Sequence, residues 1–230
     1  MKILIIATPR SGGTSLTSGI GEQNYYPIHE PFNVPLHSKH TPGKHFDCLY
    51  CNSINTNEWH TKVNQYPIEV MNNNTNIVLR TLSLQKPKNI KYQISDFQQK
   101  FITEFDTVIL LDRRSEIEHK ESYLNLIWRM ETNKSIKARW NSSSIPDKYR
   151  EEFDFDKKYT KLEDFKKQLK LISDTIKVPI TYYEDLFGED RMKSFETINK
   201  LDIDIDPFDL NDYLHPKGRY RQSENTPTFF

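Results

Sequence analysis

"KILIIATPRSGGTSL", residues 2–16, joins an apolar, β-branched run to a loop with two adjacent glycines and then to the start of a helical pattern. The run Lys2–Ala7 has apolar residues in succession rather than in alternation, the pattern of a strand covered on both faces. The segment behind it, "TPRSGGTS", supplies Arg10, four hydroxyl residues and the pair Gly12-Gly13, with a helix expected to begin near Thr14. Glycines let backbone N–H groups converge, and a helix N-terminus adds partial positive charge, so the loop suits an oxyanion. An ordinary tight turn with a Ser or Thr cap is the plain alternative.

Three more runs read as strands: Ile77–Leu82, Thr107–Leu111 and Val178–Tyr183. Between and after them the period changes to that of helices. Leu162, Phe165, Leu169, Ile172 and Ile176 form one apolar stripe, Ile117, Leu124, Ile127 and Trp128 a second, and Met192, Phe195, Ile198 and Leu201 a third. Strand alternating with helix implies an α/β fold with a short parallel β-sheet flanked by helices. Residues 31–75 and 133–160 lack that alternation and read as irregular segments within a single domain spanning 1–230, the expected acceptor-binding loops.

Composition narrows the partners. The 32 basic and 32 acidic residues cancel, so no overall field favours nucleic acid or an anionic membrane, and an anion site must be local. The aromatic share of 12% exceeds what a disordered chain carries. The first apolar run is too short for a bilayer span or a secretory leader, which implies a cytoplasmic protein.

The loop lacks the Lys of the ATPase and GTPase pattern G-x-x-x-x-G-K-[ST], and its cation, Arg10, precedes the glycines. It also lacks the G-x-G-x-x-G spacing of dinucleotide folds. It resembles instead the 5′-phosphosulfate loop of the sulfotransferases, enzymes that use 3′-phosphoadenosine-5′-phosphosulfate (PAPS) and release PAP. Further landmarks carry the likeness: "DRRSEIEHKES", with Arg114 eight residues before Ser122, "YEDL" after the last strand, and "HPKGRYRQ" near the C-terminus.

The resemblance implies a P-loop-like three-layer fold and a role for each matched position. Arg10, Ser11, Gly12, Gly13, Thr14 and Ser15 would bind the 5′-phosphosulfate, and Arg114 with Ser122 the 3′-phosphate, Arg113 being able to exchange roles with Arg114. Lys217, Gly218 and Arg219 would close over that phosphate. The carboxylates of "YEDL" would cap or orient rather than react, with Asp185 at a helix N-terminus. Arg10 would stabilise the leaving group, helped by Arg80, which stands where many relatives carry a Lys. Cytosolic aryl and steroid members place a His two residues beyond that Lys; here the position is Leu82. "YPIHEPFN" is similar to the segment that carries a Glu base in carbohydrate sulfotransferases, which makes Glu30 the first candidate base and His29 the second, with a sugar hydroxyl as acceptor. No metal is required for that chemistry.

Two rival functions remain open on the sequence: a module that binds PAP without catalysis, and a small-metabolite kinase with an atypical loop. Cys48 and Cys51 form a CxxC among five of the seven histidines, and zinc binding with His37, His40, His45 or His60, a redox pair and plain reduced thiols all remain open.

Overall fold

The computed structural model describes residues 1–30, 76–84, 102–132, 145–152 and 155–215. Its centre is strand β1 (Lys2–Ala7), followed by helix α1 (Gly13–Gly21), β2 (Tyr26–His29), β3 (Ile77–Leu82) and β4 (Thr107–Asp112). Helices α2 (Glu116–Thr132), α3 (Asp147–Glu152) and α4 (Phe155–Ile176) precede β5 (Ile180–Tyr182), and α5 (Tyr183–Phe187), α6 (Arg191–Asn199) and α7 (Pro207–Leu214) complete the described chain. The strands form one sheet in the order β2-β3-β1-β4-β5, and every pairing is parallel.

Alternate residues of β1 point to opposite faces, and both faces are covered. Ile3, Ile5 and Ala7 join Leu16 and Ile20 of α1, Ile198 of α6 and Leu210 and Leu214 of α7. Leu4 and Ile6 join Leu169 and Ile172 of α4. This double burial explains why the strand is apolar throughout. It also matches the crossovers: β1 passes through α1 on one face to the edge strand β2, while β4 passes to β5 by way of α4 on the other. Since the two connections leave on opposite faces, the carboxyl ends of β1 and β4 border a crevice of the kind where open α/β sheets bind ligands.

The expected strands 2–7 and 77–82 coincide with β1 and β3, and the expected helical stripes fall on α4, α2 and α6, except that Ile117 and Met192 are exposed and Leu201 lies beyond α6. Four features differ. β2 was not expected: it is only four residues long and contains Pro27, which is tolerated because β2 is an edge strand paired with β3 alone. The expected strand 178–183 shortens to Ile180–Tyr182, because Tyr183 opens α5.

The segment 133–160 is not irregular throughout, since 147–152 and 155–160 are helical. Helix α3 is polar and has no stripe to read. It is docked by few residues: Ile145 packs with Leu124 and Trp128, and the Tyr149 ring meets Trp128 edge-on at 6.3 Å. Helix α7 escaped the periodicity, although Asp206, which accepts from the amides of Phe208 and Asp209, followed by Pro207 is a recognisable start signal. Among the described residues no helix is long and apolar enough to cross a membrane.

Candidate functional site

The loop from Thr8 to Gly13 sits at the carboxyl end of β1, clamped to its neighbours. Thr8 N donates to Leu111 O at 3.0 Å, and Ser83 N donates to Ala7 O at 3.1 Å. The buried Ser11 hydroxyl faces inward, 2.8 Å from Thr8 O and 3.2 Å from Leu111 O, so this side chain shapes the loop rather than reaching outward. Arg10 and Gly12 both adopt left-handed backbone, with φ of 67° and 86°. For Arg10 that conformation is strained, and such strain concentrates at binding sites.

Gly12 is required on two counts. A Cβ there would meet its own positive φ, and would lie 2.5 Å from Phe187 Cε2 and 2.9 Å from Tyr183 Cδ2. Gly12 is also the N-cap of α1 and provides no side-chain cap, so the first-turn amides at Gly13, Thr14 and Ser15 are presented at the crevice.

The cations around this loop fall into distinct environments. Arg10 reaches across to α2, donating from Nε to Ser122 Oγ at 3.1 Å. Among the described residues no carboxylate pairs with it. Burial lowers its pKa, and the neighbouring Arg113 charge lowers it further, with Tyr183 acting in the opposite sense. Arg113 is 14% exposed and lies over the Tyr183 ring, 4.4 Å from its centroid. Its Nη2 donates to the exposed Glu118 at 3.0 Å, while its buried Nε makes no hydrogen bond, the nearest Glu184 oxygen being 3.9 Å away. Tyr183 stacks on Phe187 at 4.7 Å, so one aromatic wall supports both Gly12 and Arg113.

Arg114 points elsewhere. It is half exposed and bidentate to Asp185 at 3.1 and 2.7 Å, with its guanidinium 4.5 Å from the Tyr182 centroid. Asp185 is further bound by Lys193 at 2.7 Å. Burial pushes the Asp185 carboxyl up, but its bonds to Arg114 and Lys193 prevail and hold it below its ordinary value. Glu184 accepts from the amides of Arg114 and Ser115, both at 2.9 Å, capping α2 from a distant part of the chain. Burial acts upward on Glu184 too, and those amides with Arg113 lower it overall. The carboxylates of "YEDL" therefore orient the loop after β4. The structure brings Ser122 to Arg10, while Arg114 is held by Asp185.

Arg80 and Glu30 form the other corner. Glu30 follows β2, with its N–H on Arg80 O at 2.8 Å, and Arg80 Nη2 donates to Glu30 Oε1 at 2.5 Å. The two side chains are 11% and 10% exposed. A Cβ on Gly13 would lie 2.8 Å from Arg80 Cδ, so Gly13 makes room for this arginine to pass beneath the loop. The candidate base is thus adjacent to the loop, and its ion-pair partner is Arg80. His29 ends β2, paired in register with Arg80. Lys217, Gly218 and Arg219, and Cys48 and Cys51 with the neighbouring histidines, lie outside the described residues. Among the described residues no group of three or more His, Cys, Asp or Glu side chains could hold a metal ion.

Sequence reasoning missed Asp112, His119 and Lys166, of which the first two are buried and the third partly so. Asp112 had a weak signal, as a carboxylate ending an apolar strand just ahead of two arginines. His119 and Lys166 had none, because only the packing of α2 and α4 brings them there. No family model, curated protein or solved structure matches this chain.

Proposed function

We propose that the protein is a PAPS-dependent sulfotransferase of P-loop-like fold that transfers a sulfuryl group to a hydroxyl, on a carbohydrate acceptor. The observation that carries the anion site is Arg10: a half-buried guanidinium, with Arg113 beside it and no carboxylate partner among the described residues. Arg113 has carboxylates at Glu118 and Glu184 but Arg10 has none, and a partly desolvated cation without a counter-charge is unfavourable unless an anion completes it. The fit extends to the loop, where Gly12 and the first turn of α1 leave a cradle that a Cβ would obstruct.

In this proposal Arg10, the amides of Gly12 to Ser15, and the hydroxyls of Thr14 and Ser15 hold the 5′-phosphosulfate. Arg113 and Ser122 form the core of the second phosphate position, with Arg114 at its rim and Lys217 to Arg219 contributed by the C-terminal segment. When bound, PAPS supplies the sulfuryl group. Arg10 and Arg80 place positive charge where negative charge gathers on the departing phosphate. Glu30, kept ionised by Arg80, accepts the acceptor's hydroxyl proton, and His29 is the alternative acceptor of that proton. Positioning of the two substrates does the rest.

The buried Arg80–Glu30 pair favours one second reading, a module that binds PAP without transfer, because a carboxylate committed to an arginine is a weaker base. Titration calorimetry with PAP, followed by transfer from radiolabelled PAPS to a panel of sugars, separates them. PAP binding with sugar sulfation supports the enzyme, PAP binding without transfer to any acceptor supports the module, and stabilisation by ATP–magnesium but not by PAP would sink both.

A further inference from the structure

Beneath the anion loop lies a set of buried and partly buried polar side chains with no part in the chemistry above. Asp112, at the end of β4, accepts from Thr8 Oγ1 at 2.7 Å. His119, on the first turns of α2, is fully buried, and its Nε2 is 2.6 Å from the carbonyl oxygen of Pro9. A carbonyl only accepts, so Nε2 carries the proton. The other nitrogen, Nδ1, is buried, makes no hydrogen bond, and lies 3.8 Å from Asp112 Oδ1. Lys166, from α4, donates to the carbonyl of Arg113 at 3.0 Å and lies 3.6 Å from Asp112 Oδ2.

These contacts meet the backbone at two places that matter. The Pro9 carbonyl belongs to the peptide whose nitrogen is Arg10's, so fixing its direction fixes the plane from which Arg10 takes its φ of 67°. Proline has no N–H, so the carbonyl is the one polar handle on its residue. The Arg113 carbonyl belongs to the residue that carries the second guanidinium, so fixing its direction fixes that residue's ψ. Thr8, between β1 and Pro9, is tied to the same carboxylate that faces His119 and Lys166.

We propose that His119 and Lys166, on either side of Asp112, are positioning residues that set Arg10 and Arg113 to face one polyanionic ligand. This rests on the anion-site reading of the preceding subsection. The neutral ring suits the task, because a single fixed donor on Nε2 holds one carbonyl in one direction. Burial disfavours the charged ring, as do Lys166 and Arg113, while the Pro9 bond and Asp112 oppose them with a net lowering.

The test uses the full chain and three variants: His119→Leu, His119→Gln, whose amide can still donate to Pro9 O, and Lys166→Met. With PAP as the probe, calorimetry is expected to show a loss of about tenfold or more for His119→Leu. His119→Gln restores most of that affinity, and Lys166→Met shows a smaller loss. Equal PAP affinity in the Leu and Gln variants, whatever their melting temperatures, would overturn the proposal. Should His119→Leu fail to fold, unchanged PAP affinity in Lys166→Met would overturn it.

A ligand-free measurement separates failure of this proposal from failure of the anion site. Nitrogen-15 spectra of labelled histidine in the parent protein are expected to show His119 protonated at Nε2, and a proton at Nδ1 instead would refute the assignment. If the parent binds no PAP, the anion site falls. Amide hydrogen exchange of residues 10–13 in Lys166→Met and the two His119 variants then decides the positioning role: no change in protection relative to the parent would refute it.

Discussion

Arg10 and Arg80 stand at the same edge of the sheet, on or just beyond neighbouring parallel strands, and differ in one respect. Arg80 is neutralised by Glu30 at 2.5 Å, both side chains being about nine-tenths buried. Arg10 meets a serine hydroxyl and the field of a second arginine. A buried arginine with a carboxylate is complete within the fold, whereas one that faces another arginine is complete only with something from outside. The charge partner separates an arginine already neutralised within the fold from one that is not.

The comparison is broken most forcefully at Glu30. Replacing Glu30 by Ala leaves Arg80 buried without its charge partner, for which a loss of about 3–5 kcal/mol of stability is expected, read from urea unfolding; a loss below one-third of that would mean Arg80 finds water instead. Arg10→Ala should do the opposite. Melting temperature stays level or rises, because repulsion from Arg113 is relieved, while PAP affinity by calorimetry falls about a hundredfold, equivalent to ~2.7 kcal/mol. Unchanged affinity would remove the anion site.

Gly12→Ala tests the cradle between them, since the new methyl meets both a positive φ and Phe187. A cost of about 1–3 kcal/mol is expected, together with weaker PAP binding. Asp185→Asn should matter least at neutral pH: the Arg114 and Lys193 side chains it serves are each 52% exposed, so about 1 kcal/mol or less is expected. PAP affinity in that variant sharpens the assignment of the second phosphate position. A level affinity supports Arg113 as its core, and a marked gain would show that freed Arg114 competes for the same ligand.

Acidification gives a gentler test. His119 binds a proton less readily folded than unfolded, so its share of stability is present above its ordinary value of 6.5 and is lost as pH falls below it toward the native value. Glu184 and Asp185, held below their ordinary values, contribute above 4.5 and 3.8 and lose that contribution as pH falls through their native values. All three make the protein less stable in acid. His119→Gln should therefore show a shallower decline in urea midpoint than the parent between pH 7 and pH 5, and identical slopes would mean that folding leaves the proton affinity of His119 unchanged.

Much of the fold was legible. Uninterrupted apolar runs identified β1, β3 and β4, because a strand covered on both faces has no polar side to interrupt it. Stripes at spacings of three and four identified α2, α4 and α6. β2 and α3 were not legible: one is four residues long with a proline, and the other is polar, held to α2 by Tyr149 on Trp128 and by the Arg150–Glu121 ion pair. At the site, Arg10, Gly12 and Gly13 were found because a glycine loop behind a strand is a local pattern. The pairing of Ser122 with Arg10, and of Arg114 with Asp185, was not, since each joins residues more than sixty positions apart.

The sequence by itself determined a parallel α/β sheet and an anion-suited loop at its first strand, because backbone periodicity and glycine freedom are properties of neighbours along the chain. Only the tertiary structure decided which cations are neutralised and which are not. Glu30 reaches Arg80, Asp185 reaches Arg114, and nothing acidic among the described residues reaches Arg10. Ion pairs depend on distances across the sheet edge, which are set by strand order and helix packing rather than by the order of residues.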